Sequence, residues 1–152
     1  MKGGKEPRCH VAQALRLANV KPVIDFTLRN QHICPLSAIE DYPTMVRVDG
    51  DQITDWPTFH SVFAEKFGFP SFYGGNMESW IDCLSYLDDP AAEMTSIHVQ
   101  RGQTLSLVID NAQEFKRRCP LQFEALVECA AFVNWRTAVA GGTPLLGLAF
   151  SV

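Results

Sequence analysis

Glu78 and Asp82 stand four residues apart in the stretch Phe69-Pro70-Ser71-Phe72-Tyr73-Gly74-Gly75-Asn76-Met77-Glu78-Ser79-Trp80-Ile81-Asp82-Cys83-Leu84. On a helix that spacing puts two carboxylates on one face. Such a pair works as acid and base when its surroundings push the two pKa values apart. Nothing in the sequence separates the two environments, so the pair does not argue for an enzyme. His10, His32, His60 and His98 stand apart from one another. His10 follows Cys9 and His32 precedes Cys34 by two, yet neither pair meets a second pair at zinc-site spacing. His60 reads as a surface residue of a helix. Tyr73-Gly74-Gly75-Asn76 lacks the spacing of a phosphate-binding glycine loop, and the helix it opens is acidic, the wrong sign for phosphate. No GxSxG and no local Cys–His nucleophile signature occurs. No cofactor and no metal is expected.

What is left is a surface. Between Phe67 and Gln100 there is no lysine or arginine, while Glu78, Asp82, Asp88, Asp89 and Glu93 fall inside that window. The whole chain carries a net charge of −4, but residues 1–31 hold six basic side chains against two acidic ones. An acidic face repels nucleic acid, whose binding depends on cations meeting phosphate. It reads either as a solvated helix face or as a surface for a basic protein partner.

The chain has 152 residues and 47% hydrophobic composition. That fits one domain burying roughly 70% of its unfolded surface. No apolar run reaches the roughly 20 residues of a membrane span. The start, MKGGKEPRCHVAQALRL, lacks the continuous apolar stretch of a secretory signal. Cys9, Cys34, Cys83, Cys119 and Cys129 are odd in number and form no CxxC or CxxxC pair. Reduced, mostly buried thiols in a cytoplasmic protein are the expectation.

Two divisions are expected: an N-terminal extension over residues 1–44 and a domain over 45–152. In the extension, Val11–Val20 reads as a short helix and Pro22–Leu28 as a strand. From residue 44 the pattern sharpens. Met45–Val48 reads as a strand closed by the turn dipeptide Asp49-Gly50. Asp55 and Pro57 start a helix whose apolar positions are Phe59, Val62, Phe63 and Phe67, and Gly68 ends it. Pro70–Gly75 is loop. Asn76 caps a second helix, with Met77, Trp80, Ile81, Leu84 and Leu87 on one face and Glu78, Asp82, Ser85 and Asp89 on the other. Thr104–Ile109 reads as a strand, with Ile97–Val99 as an extra edge strand before it. Pro120–Arg136 reads as a long helix and Pro144–Phe150 as the last strand. The order calls for an α/β domain with parallel strands and packed helices.

The run Val46–Leu84 resembles the barstar family, intracellular inhibitors of a secreted bacterial ribonuclease. The likeness rests on the strand and Asp-Gly turn, the Phe59-His60 pair, the Phe72-Tyr73-Gly74-x-Asn76 segment and the Asp82-Cys83-Leu84 triplet. The later strand, helix and strand follow in order, so the resemblance extends over residues 45–151. It implies a small three-stranded parallel sheet packed by helices. It also implies a non-enzymatic role: an immunity protein that plugs the basic cleft of a nuclease toxin, its carboxylates standing in for RNA phosphates. The implied contact residues are Phe72, Tyr73, Gly74, Asn76, Glu78, Ile81 and Asp82, with Glu124 as a second acidic contact. Ile81 is expected at the edge of the apolar stripe, partly exposed. A binding module with a non-nuclease partner is the alternative. This chain departs from the family motif at Phe72 (tyrosine there), Gly75 (glutamate), Glu78 (aspartate) and Ile81 (tryptophan).

Overall fold

The computed structural model describes residues 45–152. The helix and strand expected within residues 1–44 lie outside that range.

Three strands form the sheet: β1 (Met45–Asp49), β2 (Leu105–Asp110) and β3 (Leu146–Phe150). They lie in the order β1-β2-β3 and both pairings are parallel. A parallel neighbour cannot be reached by a tight turn, so each consecutive pair of strands is joined by a helical crossover. Helices α1 (Trp56–Phe67) and α2 (Met77–Leu84) separate β1 from β2. Helices α3 (Ala112–Arg118) and α4 (Pro120–Val139) separate β2 from β3. The central strand is buried along its length except at Asp110, as a strand paired on both edges requires. The register aligns Val46 with Leu107 and Leu148, and Val48 with Ile109 and Phe150. These rows form one apolar face.

Local chemistry explains the helix ends. The Asp55 carboxylate accepts the Thr58 amide at 2.9 Å, while Thr58 Oγ1 accepts the Asp55 amide at 3.0 Å. This reciprocal cap, with Pro57 in the first turn, starts α1. Gly68 ends it in the left-handed conformation. The inner side of α1 then buries Phe59, His60, Val62, Phe63 and Phe67. The expected exposure of His60 is therefore corrected: it shares the buried stripe, four residues after Trp56 and three before Phe63.

Helix α4 is held against β3 at two points. Asn134 Nδ2 donates to the Leu146 carbonyl at 2.7 Å, and its Oδ1 accepts the amides of Leu145 and Leu146, each at 2.9 Å. One side chain thus satisfies the backbone where β3 begins. Near the other end, Phe123 packs on Phe150 with ring centroids 5.3 Å apart.

Three other expectations are corrected. Ile97–Val99 is not a strand; the Val99 amide donates to the Leu87 carbonyl at 2.9 Å, and the segment pairs with no strand among the described residues. Helix α2 stops at Leu84, so Ser85 is its cap and Asp89 caps a separate turn over Pro90–Ala92. Helix α3 has no counterpart in the sequence reading, and α4 runs one turn beyond Arg136. No helix among the described residues is long and apolar enough to cross a membrane.

Trp80 is fully buried on α2, edge-on to Phe63 with centroids 5.6 Å apart. Trp80→Ala is expected to cost about 3–5 kcal/mol, the range for large buried aromatics. Thermal denaturation of the two proteins checks this. A variant melting within about two degrees of the parent would contradict the placement.

Candidate functional site

The site is assembled from the loop after α1 and the short helix α2. The Tyr73 amide donates to the Pro70 carbonyl at 2.9 Å, closing a turn that throws Phe72 outward. The Phe72 ring is 72% exposed. Water around so large an apolar surface is costly, and a ring left there is available to cover something else. Tyr73 goes the other way. Its hydroxyl shares a 2.6 Å hydrogen bond with His60 Nδ1, and its ring lies 4.7 Å from that of Phe69. His60 is in turn stacked on Trp56, 6.0 Å between centroids. The loop is thereby tied to α1 by one ring beside the one it displays.

The two glycines have distinct reasons. A Cβ on Gly74 would stand 3.0 Å from Asn76 Nδ2 and 3.1 Å from Ser79 Oγ, so a side chain there would push on the helix cap. Gly75 has φ +64°, a conformation glycine adopts without strain. Asn76 then caps α2: its Oδ1 accepts the Ser79 amide at 2.9 Å and the Ser79 hydroxyl at 2.7 Å. Asn76 is on the surface, but its side-chain oxygen is already engaged.

Along α2 the inner face buries Met77, Trp80, Ile81, Cys83 and Leu84. Ile81 is 2% exposed. The expected half-exposed edge position is corrected: Ile81 is core. Glu78 and Asp82 point outward, one turn apart, and Glu78 lies in the first turn, where the helix dipole favours a carboxylate. Asp82 is not alone. Its Oδ1 accepts a hydrogen bond from Arg136 Nη1 of α4 at 3.0 Å, with the two side chains 58% and 39% exposed. Glu124 is exposed on α4. It precedes Arg136 by twelve residues on that helix, about 18 Å at roughly 1.5 Å per residue. The structure brings Phe72, Glu78 and Asp82 to one loop-and-helix unit, whereas Glu124 stands on a different helix.

Two participants escaped the sequence reading. Arg136 lies 54 residues from Asp82, and no local pattern announces such a pair. His60 had a signal, since Trp56, Phe59, His60, Phe63 and Phe67 recur at helical spacing.

Burial lowers His60 to about 4 from an ordinary 6.5. The folded protein keeps this ring neutral while the unfolded chain takes up the proton, so the contribution to stability is whole above about pH 6.5. It is lost as pH falls from there toward about 4, by at most ~1.4 kcal/mol per unit. Urea midpoints between those limits are expected to fall more steeply for the parent than for His60→Gln. Parallel pH profiles would contradict this. The Cys83 thiol, pushed up to about 11 by burial and then by the Asp82 carboxylate, is a poor nucleophile. Cys83 and Cys129, each 1% exposed, are expected to resist iodoacetamide until denaturant is added. Stoichiometric native labelling of either, mapped by mass, would contradict their placement.

A family model described as barstar (barnase inhibitor) matches residues 44–143. Among curated proteins, none matches the chain. The matched span covers the loop, α2, all of α3 and α4, and strands β1 and β2. With a match over more than half its length, and a three-stranded parallel sheet in the order and register described, this chain belongs to the barstar family.

Proposed function

We propose that this protein is a cytoplasmic immunity protein that binds and blocks the basic active-site cleft of a ribonuclease or related nuclease toxin. The observation that carries the reading is the joint display of the exposed Phe72 ring and the outward carboxylates of Glu78 and Asp82 on one capped loop-and-helix unit. A cleft that holds RNA must offer cations to phosphate oxygens. Carboxylates set one turn apart meet those cations, and an apolar ring beside them excludes water, which strengthens every charge contact it covers. Gly74 and Gly75 let the backbone come close to a partner, while Tyr73 and Asn76 hold the loop and helix start in place. Glu124, exposed on α4, lies at the rim in this reading. The protein itself needs no metal or cofactor for such a role.

One observation favours the second reading, a binding module whose partner is not a nuclease. Arg136 places a positive charge on the carboxylate that would face the cations.

The discriminating experiment is inhibition of RNA cleavage by barnase, with a second basic secreted ribonuclease run in parallel. Removal of one member of a desolvated charge pair weakens binding by roughly 2–5 kcal/mol, a borrowed scale that already includes barnase–barstar complexes. Asp82→Ala is therefore expected to lose about 30- to 5,000-fold in affinity. Exposed Glu65 on α1 is the control, because Asp55 caps a helix and its removal costs stability of its own. Glu65→Ala is expected to inhibit like the parent, and Glu124→Ala to weaken binding less than Asp82→Ala. A protein that inhibits neither enzyme, or Asp82→Ala inhibiting as well as Glu65→Ala, would overturn the reading.

A further inference from the structure

Within the segment that has no lysine or arginine of its own, the cation beside Asp82 comes from α4. Arg136 contacts the carboxylate with one N–H, to Oδ1 at 3.0 Å. A guanidinium has five such donors and a carboxylate two oxygens. Among the described residues Asp82 Oδ2 and the other Arg136 N–H groups make no hydrogen bond recorded at this pair. Both partners thus keep free valences toward solvent. The next residue along, Trp135, is 43% exposed and stacked on Phe132 at 5.3 Å.

The pair is not needed to hold the helix. An ion pair this exposed contributes little to folding, and α2 is already fixed by Met77, Trp80, Ile81, Cys83 and Leu84 on its inner face. What the pair changes is the charge that a partner meets. Among the described residues Glu78 has no cationic partner, whereas at Asp82 a partner would find anion and cation side by side.

We propose that Arg136 is a selectivity residue of this surface: it disfavours a partner lined by cations alone and favours a basic protein cleft that carries a carboxylate among its cations. The inference deepens the proposed function and rests on residues 72–82 being a contact surface. A second cation approaching Asp82 Oδ2 is repelled by the guanidinium on Oδ1. A carboxylate beside that cation accepts the unused Arg136 donors, and the arrangement becomes an alternating network. Discrimination of this kind works by penalising the wrong partner as well as rewarding the right one.

The test needs no natural partner. An octa-arginine peptide represents cations alone, and a peptide of alternating Arg and Glu represents the mixed cleft. Each is titrated at low salt into the full chain while amide shifts of residues 72–82 are followed by NMR. Arg136→Gln is expected to bind octa-arginine about two- to fivefold more tightly at those amides, the effect of removing one nearby charge in a high dielectric. Arg136→Glu goes further in the same direction. The alternating peptide is expected to bind Arg136→Gln no better than the parent. The matched control is Arg117→Gln, which dissolves another exposed ion pair, Arg117–Glu114 at 2.8 Å on α3, and leaves binding at residues 72–82 unchanged. Equal gains for the two glutamine variants, or no gain for Arg136→Gln, would overturn the proposal, as would a gain seen equally with both peptides. A purely structural Arg136 would lower the melting temperature and leave the ratio between peptides unmoved. Because no nuclease is used, these outcomes are independent of whether RNA cleavage is inhibited.

Discussion

The edge-to-face contact between Phe63 and Trp80 is the constraint from which the candidate site follows. Helix α2 has eight residues, about 12 Å of helix, far too short to persist alone in water. Its stability must come from what its inner face is pressed against. Phe63 supplies that support and is itself ringed by Phe59 at 4.7 Å and Phe67 at 6.1 Å. Once Trp80 is seated there, the direction of every other side chain on α2 is settled. Glu78 and Asp82 face out because Met77, Ile81 and Leu84 must face in. The acidic surface is therefore a consequence of the aromatic core beneath it.

The parallel sheet imposes the second condition. Each pair of consecutive strands must be joined by a crossover long enough to return to the same end, and the last helix of the second crossover, α4, serves two neighbours at once. Asn134 turns toward β3 and ties its first amides. Arg136, two residues on and thus about 200° further round the helix, reaches Asp82 on α2. A helix recruited to close the sheet thereby delivers a cation from its other side to α2.

The legible parts of this fold were those set by local chemistry. Asp55, Gly68 and Asn76 mark helix ends by capping, which needs only neighbouring residues, and all three act as such ends. Helix α1 and the start of α2 follow from apolar spacing. The failures arose where spacing was silent or ambiguous. Helix α3 buries only Ala112 and Phe115 and begins at Asn111 without a side-chain cap, so it offers neither a stripe nor a start signal. Leu87 extends the stripe of α2 on paper, yet it is buried after the helix has ended and the chain has turned. Ile97–Val99 has strand-like residues, but its backbone meets Leu87 rather than a strand edge. Ile81 adjoins Trp80, and a helix covered on two sides buries a wider arc than one stripe. The Asp82–Arg136 pair belongs to tertiary structure alone.

The departures from the family motif make physical sense together. Phe72 offers a ring without a hydroxyl, and the hydroxyl of the adjacent Tyr73 is already bonded to His60. Gly75 removes a carboxylate from the loop, and the Asn76 side-chain oxygen is occupied by the helix cap. The loop is thus left with apolar surface and backbone to present, while the charge is concentrated on α2 at Glu78 and Asp82. Ile81, lying in the core, supports the helix from within. The division matters because the two components respond differently to conditions. Salt screens exposed carboxylates over about 10 Å at 0.1 M, whereas burial of the Phe72 ring does not depend on screening. Under the proposed function, such a surface would meet charge through a short helix held by its core and exclude water through a loop tied to α1 by the Tyr73–His60 hydrogen bond, so α2 and its neighbour Arg136 would carry its specificity.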